Sequence, residues 1–238
     1  MEKGKYNILI LVVDYIIQGN KRMNEDIIKK VENYVKSVSY GESTGHDWWH
    51  IKRVHDLALR INETENNNEF IIRMIALMHD LFDSKFSNGN IRENLISLMK
   101  ELEIFELINE INRENIIFSI ENLSFKGGFN NIQLSKEGQV VQDADRIDAI
   151  GAIGIARTFA YNGKKGNPIY DPDVGIIELK NEEEYRNKKR HAINHFYEKL
   201  LKLKDIVNTK EAKKIAEART IYMKEFLNEF YDEWNGKK

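Results

Sequence analysis

FIIRMIALMHDLF, residues 70–82, decides the fold. It is nearly all apolar, so it reads as a central buried helix that closes on the pair His79-Asp80. A neutral imidazole and a carboxylate are side chains that hold a hard or borderline divalent metal well. Matching groups stand on both sides. Upstream is His46-Asp47-Trp48-Trp49-His50, followed by Arg53-Val54; downstream is Asp143-Ala144-Asp145-Arg146-Ile147-Asp148. Each cluster lies inside an apolar helical pattern. The spacing therefore predicts one buried metal site assembled from three helices.

Working outward, Ile27, Ile28, Val31, Val35 and Val38 recur at helical spacing. Ser43 or Thr44 is expected to cap a helix that begins near His46 and runs through Val54, Leu57, Ala58 and Ile61. Residues 62–68 are polar and predict a loop, and Asn88-Gly89-Asn90 predicts a turn. Two amphipathic stretches follow over 91–111, then a helix over 113–122 and an irregular segment over 124–135. Val140 to Tyr161 reads as one helix, polar at its start and small and apolar later, where Gly and Ala permit close packing. Residues 162–182 hold both prolines and three glycines, and read as an active-site loop or lid. Tyr185–Leu203 and Glu211–Trp234 are two closing helices.

Composition bounds the function. Two prolines, sparse glycine and 42% hydrophobic residues favour a sizeable helical core over a turn-rich β fold. The net charge of −2 gives no basic field for nucleic acid. With no cysteine, disulfides, thiolate zinc sites and a cysteine nucleophile are excluded, and a reducing, cytoplasmic setting fits. The apolar run ILILVVDYII, residues 8–17, is interrupted by Asp14 and is too short to span a bilayer, so no membrane association is expected. Two readings stand for residues 1–22. The run is a buried strand or short helix, or the segment is an extension ahead of a true start at Met23. No internal repeat or domain boundary divides residues 23–238.

His46 and His50 are four apart and share a helix face. His79 and Asp80 lie about 100° apart on a helix and can both reach one ion between them. Asp145 arrives from a separate helix. Two imidazoles and two carboxylates leave room for waters in an octahedral shell. That suits Mn²⁺, Fe²⁺, Co²⁺, Ni²⁺ or Mg²⁺ better than a closed tetrahedral zinc site. His55, His191 and His195 fall outside this pattern and read as ordinary core histidines. Asp47 can serve as a carboxylate at a helix N-terminus, and Asp148 as a cap or a partner of Arg146 or Arg157. Burying His50, His79, Asp80 and Asp145 unpaired would be costly, which weighs toward a shared ligand for them.

The order His … His-Asp … Asp resembles the HD superfamily of metal-dependent phosphohydrolases. The likeness is closest to a branch in which HDxxHxxRV precedes the His-Asp pair and DADRLDAIGAIGIARTF follows it. Here the strings are HDWWHIKRV (46–54), HDLFDSK (79–85) and DADRIDAIGAIGIARTF (143–159), and the likeness extends over about residues 24–234. It implies an all-α, single-domain helical bundle with the metal site in its core. It also implies His50, His79, Asp80 and Asp145 as metal ligands, with His46 behind the metal or facing the substrate. Asp83 matches an acidic position suited to proton transfer beside Asp80. Arg53, Lys85, Lys126 and Arg146 match candidate phosphate contacts, although Lys126, in SFKGG, reads equally well as a solvated loop lysine.

These readings lead to a divalent-metal phosphohydrolase, with Mn²⁺ the favoured ion. The expected substrate is a small phosphate ester or anhydride, a nucleotide such as a (deoxy)nucleoside triphosphate or monophosphate; a homodimer is compatible with the sequence. Trp48 and Trp49 could stack on a base or pack in the core. Two other classes stand against this reading. A non-catalytic nucleotide sensor would be expected to have lost a ligand. An HExxH-like zinc protease would use His46, His50 and Asp47, but would leave His79-Asp80 and the third motif unexplained.

Overall fold

The computed structural model of the chain describes residues 2–40, 47–82, 90–124, 132–175 and 191–238, with side chains from residue 18 onward. Among the described residues every regular element is a helix: α1 (Glu2–Ser39), α2 (Trp48–Glu65), α3 (Glu69–Met78), α4 (Ile91–Glu101), α5 (Glu110–Asn122), α6 (Lys136–Asp148), α7 (Gly151–Lys164), α8 (Ala192–Glu198) and α9 (Lys210–Trp234). A 3-10 segment, Leu200–Ile206, joins α8 to the approach of α9.

α3 is the axle of the bundle. Asn68 caps it by accepting from the Phe70 and Ile71 amides, and Glu69 complements the positive end of its dipole. Helices α1, α2, α5 and α6 pack around it. Ile72, Met74, Ile75 and Met78 are fully enclosed, as a helix hydrophobic on all sides requires. α1 contributes Ile27, Ile28, Val31 and Val35 to the same core, while residues 18–22 stay exposed.

Four local expectations are corrected. The cap of α2 is Asp47, whose carboxylate accepts from the His50 amide at 3.0 Å, so the helix starts at Trp48. An aspartate one residue before the helical pattern serves as well as a serine or threonine. Residues 91–111 hold one complete helix, α4, followed by turns through residue 109, before α5 begins at Glu110. The reason lies at Glu103, which takes a left-handed φ of 54°. The Ile104 and Phe105 amides then both turn back to the Met99 carbonyl, at 2.9 and 3.1 Å, which ends the helix.

The long helix expected over 140–161 is two helices. Ala149 and Ile150 break it, and Gly151 restarts it with φ of +78°. A Cβ at Gly151 would lie 3.0 Å from Arg219 Cγ, so only glycine suits both the backbone and the packing there. At the break the Ile147 carbonyl accepts from the Ile150 amide at 3.2 Å and from the Arg219 guanidinium at 2.6 Å. The fourth correction concerns Tyr185–Leu203. Its described part is the short helix α8 followed by 3-10 geometry, with no continuous helix through Leu203.

The described part of the expected lid, residues 162–175, is anchored. The Ala192 and Ile193 amides donate to the Pro168 and Ile169 carbonyls at 2.9 and 3.2 Å. The Tyr170 ring stands edge-on to Trp234 and His191, with centroids at 5.0 and 5.1 Å.

Asp143 ties α6 to the start of α9. Oδ1 accepts from the Asn208 amide and side chain, both at 2.8 Å. Oδ2 accepts from the Thr209 amide and hydroxyl at 2.8 and 2.9 Å. Burial nevertheless pushes its pKa up, outweighing these four donors. Asp143→Asn replaces one oxygen by an NH₂ that confronts two donors. It should cost about 2–4 kcal/mol, read as a lower urea midpoint at unchanged m-value; an unshifted midpoint would refute the anchoring role.

Candidate metal centre

His50 sits in the first turn of α2, where the Asp47 cap fixes the helix start. Its neighbours divide. Trp48 turns inward and is 4% exposed, with the Lys36 ammonium 5.7 Å above its ring, while Trp49 faces outward at 57%. His50 itself is 1% exposed. Its Nδ1 is 2.8 Å from Asp148 Oδ2 at the end of α6.

Asp148 collects further donors. Arg53, one turn along α2 from His50, gives Nε to Oδ1 at 2.7 Å and Nη2 to Oδ2 at 3.1 Å. Arg157, from α7, gives Nη1 to Oδ2 at 2.6 Å. Burial acts to raise the Asp148 pKa, but the His50 and Arg53 hydrogen bonds and the Arg157 charge together hold it far below the usual carboxylate range. Asp148 is therefore an acceptor only. A neutral His50 that donates Nδ1–H to it keeps an electron pair on Nε2.

His79 arrives at the same orientation by another route. It follows the last residue of α3, and its Nδ1 donates to the Ala76 carbonyl at 2.8 Å. That bond satisfies one of the helix's terminal carbonyls. It also leaves the second imidazole with its electron pair on Nε2. The two Nε2 atoms face each other at 3.3 Å. Two carboxylates join them. Asp145 Oδ1 lies 3.5 Å from His50 Nε2 and 3.9 Å from His79 Nε2, and Asp80 Oδ2 lies 3.9 Å from His50 Nε2.

Four electron-pair donors thus converge from α2, α6 and the turn after α3. The ligand atoms of His50, His79 and Asp145 all lie within 4.8 Å of one another. A proton is a poor substitute for a metal at this point, because burial above all lowers the pKa of His50. The donor set of two imidazole nitrogens and two carboxylate oxygens fits a divalent cation of the Mn²⁺, Fe²⁺, Co²⁺ or Ni²⁺ kind. Asp145 is the most open member, its side chain 32% exposed, so approach from solvent lies on its side.

The other sequence candidates scatter. His46, Asp83, Lys85 and Lys126 lie outside the described residues. Arg53 lies beside the centre, turned onto Asp148. Arg146 points the other way: its Nη1 donates to the Ile206 carbonyl, and burial pulls its pKa down. His55 pairs with Asp56 at 3.0 Å, and His191 caps α8 through Nδ1. Of the two arginines that the sequence offers as partners of Asp148, Arg157 is the one that reaches it. Its signal was its position in the third motif, two turns beyond the break after Asp148.

Comparison with known proteins identifies the family. A sequence profile of the HD domain matches residues 48–150. YpgQ of Bacillus subtilis is 38% identical over 203 residues, which is 84% of this chain and 90% of YpgQ. The structure of YpgQ in complex with ADP superposes with a TM-score of 0.69 at 36% identity, covering 89% of this chain and 96% of that one. An HD-superfamily hydrolase from Bacillus thuringiensis gives a TM-score of 0.68 at 40% identity, covering 89% and 98%. A Lactobacillus plantarum protein reaches a TM-score of 0.78 at 38% identity, covering 89% and 98%. With its motifs, its all-helical bundle and these relatives in agreement, the chain belongs to the HD superfamily of hydrolases.

Proposed function

We propose that this protein is a divalent-metal-dependent phosphohydrolase whose substrate is a nucleotide. The observation that carries the reading is the pair of Nε2 atoms 3.3 Å apart, flanked by Asp145 and Asp80. When bound, a divalent ion, Mn²⁺ for preference, supplies Lewis acidity to the scissile phosphate and acidity to the attacking water. His50, His79, Asp80 and Asp145 would hold it. The half-open flank at Asp145 gives phosphate a way in.

The chain's own residues do the rest. Arg53 and Arg157 place two fixed positive charges beside the centre, and these offset charge that develops on phosphate oxygens. His46, Lys85 and Lys126 remain candidates for the same role through the family resemblance, whereas Arg146 is turned to the Ile206 carbonyl. Asp83 follows Asp80 by three residues and is the proposed proton-transfer group. Trp49 offers an exposed aromatic face one residue from His50, the right chemistry for a base. The nucleotide class is further supported by the ADP held in the YpgQ structure.

The rival readings fare worse. In a zinc protease Asp47 would act as the base, but here its carboxylate is occupied as the cap of α2. A sensor that had lost its chemistry would have no need to keep both imidazoles and both carboxylates converging. No helix among the described residues is long and apolar enough to cross a membrane.

The deciding assay is a panel of nucleoside mono-, di- and triphosphates with Mn²⁺, Mg²⁺, Co²⁺ and Ni²⁺, with products resolved as phosphate, pyrophosphate or triphosphate. Turnover of none of them, by protein shown to carry metal, would sink the proposal. His79→Ala and Asp80→Ala should lose bound metal and turnover together, whereas His55→Ala should keep both; elemental analysis of the purified variants separates the cases. Asp83→Asn should keep its metal but turn over about 10²-fold more slowly. A rate near wild type across pH 6–9 would remove Asp83 from the mechanism. Trp49→Ala should raise KM about tenfold for nucleotides with little change for inorganic pyrophosphate or tripolyphosphate. Equal loss on both substrate kinds would show that the ring does not meet a base.

A further inference from the structure

Among the described residues, the nitrogen of His50 that faces away from the metal position meets two groups with opposite demands. Asp148 Oδ2, at 2.8 Å, can only accept a hydrogen bond. Arg157 Nη1, at 3.2 Å, can only donate one. A neutral imidazole cannot satisfy both. With the proton on Nδ1, His50 donates to Asp148, and Arg157 spends the same N–H on Asp148 Oδ2 at 2.6 Å. With the proton on Nε2, His50 accepts from Arg157 and aims an N–H at His79 Nε2, 3.3 Å away.

We propose that Asp148, clamped by Arg53 and Arg157, is a positioning residue that selects the His50 tautomer with Nδ1 protonated and so keeps Nε2 open for metal. The proposal deepens the metal-centre reading and rests on it for its functional meaning. The clamp explains why a carboxylate stands behind the histidine with two arginines on it. The Arg53 fork fixes both oxygens, at 2.7 and 3.1 Å, so Oδ2 cannot swing off Nδ1. A hydrogen bond from a ligand imidazole to a carboxylate orients the ring and raises its donor strength toward a metal. In the opposite tautomer a ring N–H would stand where the metal must bind, and the two imidazoles would be joined to each other.

The test is side-chain nitrogen NMR of the ¹⁵N-histidine-labelled, metal-free protein, paired with metal affinity measured by calorimetry. Wild type should show His50 protonated at Nδ1. Asp148→Asn loses the fixed acceptor charge and leaves Arg157 to claim Nδ1. Its His50 should move to the Nε2-protonated form, and Mn²⁺ should bind about 10–100-fold more weakly. A merely structural role for Asp148 would not move the tautomer. Wild-type His50 protonated at Nε2 overturns the proposal without any variant, and so does Asp148→Asn that keeps the Nδ1 tautomer and wild-type affinity. If wild type shows the Nδ1 tautomer yet binds no divalent metal, the metal-centre reading fails while the tautomer assignment stands.

Discussion

The Asp148 carboxylate is the contact on which the rest of the centre depends. It is buried, at the junction of α2, α6 and α7, and it accepts four N–H donors from His50, Arg53 and Arg157. An isolated charge in such a place would cost several kcal/mol, and breaking a buried pair by removing one partner costs about 3–5 kcal/mol. The cost is offset because the donors are themselves charged or polar and geometrically fixed. The arrangement also explains why the helix must break after Asp148. A continuous helix would carry Arg157 along the α6 axis, whereas the restart at Gly151 redirects α7 so that Arg157 folds back over the carboxylate two and a half turns earlier in the chain.

Much of the fold was legible because its signals are local. The apolar sweep of α3 and the periodic faces of α1, α2 and α9 state their own secondary structure. The misread places share a different cause. Nothing in the string DADRIDAIGAIGIARTF says that Gly151 takes a positive φ. The reason is the Arg219 side chain, 68 residues further on, lying against it. Likewise, the α4 stretch ends where Glu103 turns left-handed, a backbone choice that propensity does not announce for glutamate.

The site divides along the same line. His50, His79, Asp80 and Asp145 could be named from residue type, spacing and the family likeness, because ligand chemistry restricts which side chains qualify. Of their supports, the pairing of Asp148 with Arg146 or Arg157 was legible, but the choice of Arg157 and the clamp by Arg53 were not. Asp143 looks like one more acid of the motif that carries Asp145 and Asp148, yet it faces the opposite side of α6 and holds Asn208 and Thr209, 65 and 66 residues away. Arg146, between the two, reaches Ile206 instead of the metal position. A motif of alternating acids and a base therefore serves two sites at once. Helical geometry decides the division, since Asp145 and Asp148 are three apart and share a face, while Asp143 does not.

The placement of the centre at helix ends adds a term that no single side chain provides. His79 follows the C-terminus of α3, and Asp145 and Asp148 lie in the last turn of α6. The carbonyl ends of these two helices carry about half a negative charge each, directed at the site. The N-terminus of α2 opposes them, and there the Asp47 carboxylate accepts from the His50 amide. The backbone thus favours a cation where the side chains converge, before any ligand is counted. It also accounts for how a centre with Arg53 and Arg157 beside it can still be a cation site. Asp148 counters one of their two charges on the far side of the His50 ring, while the electron pairs face the position between His50 and His79.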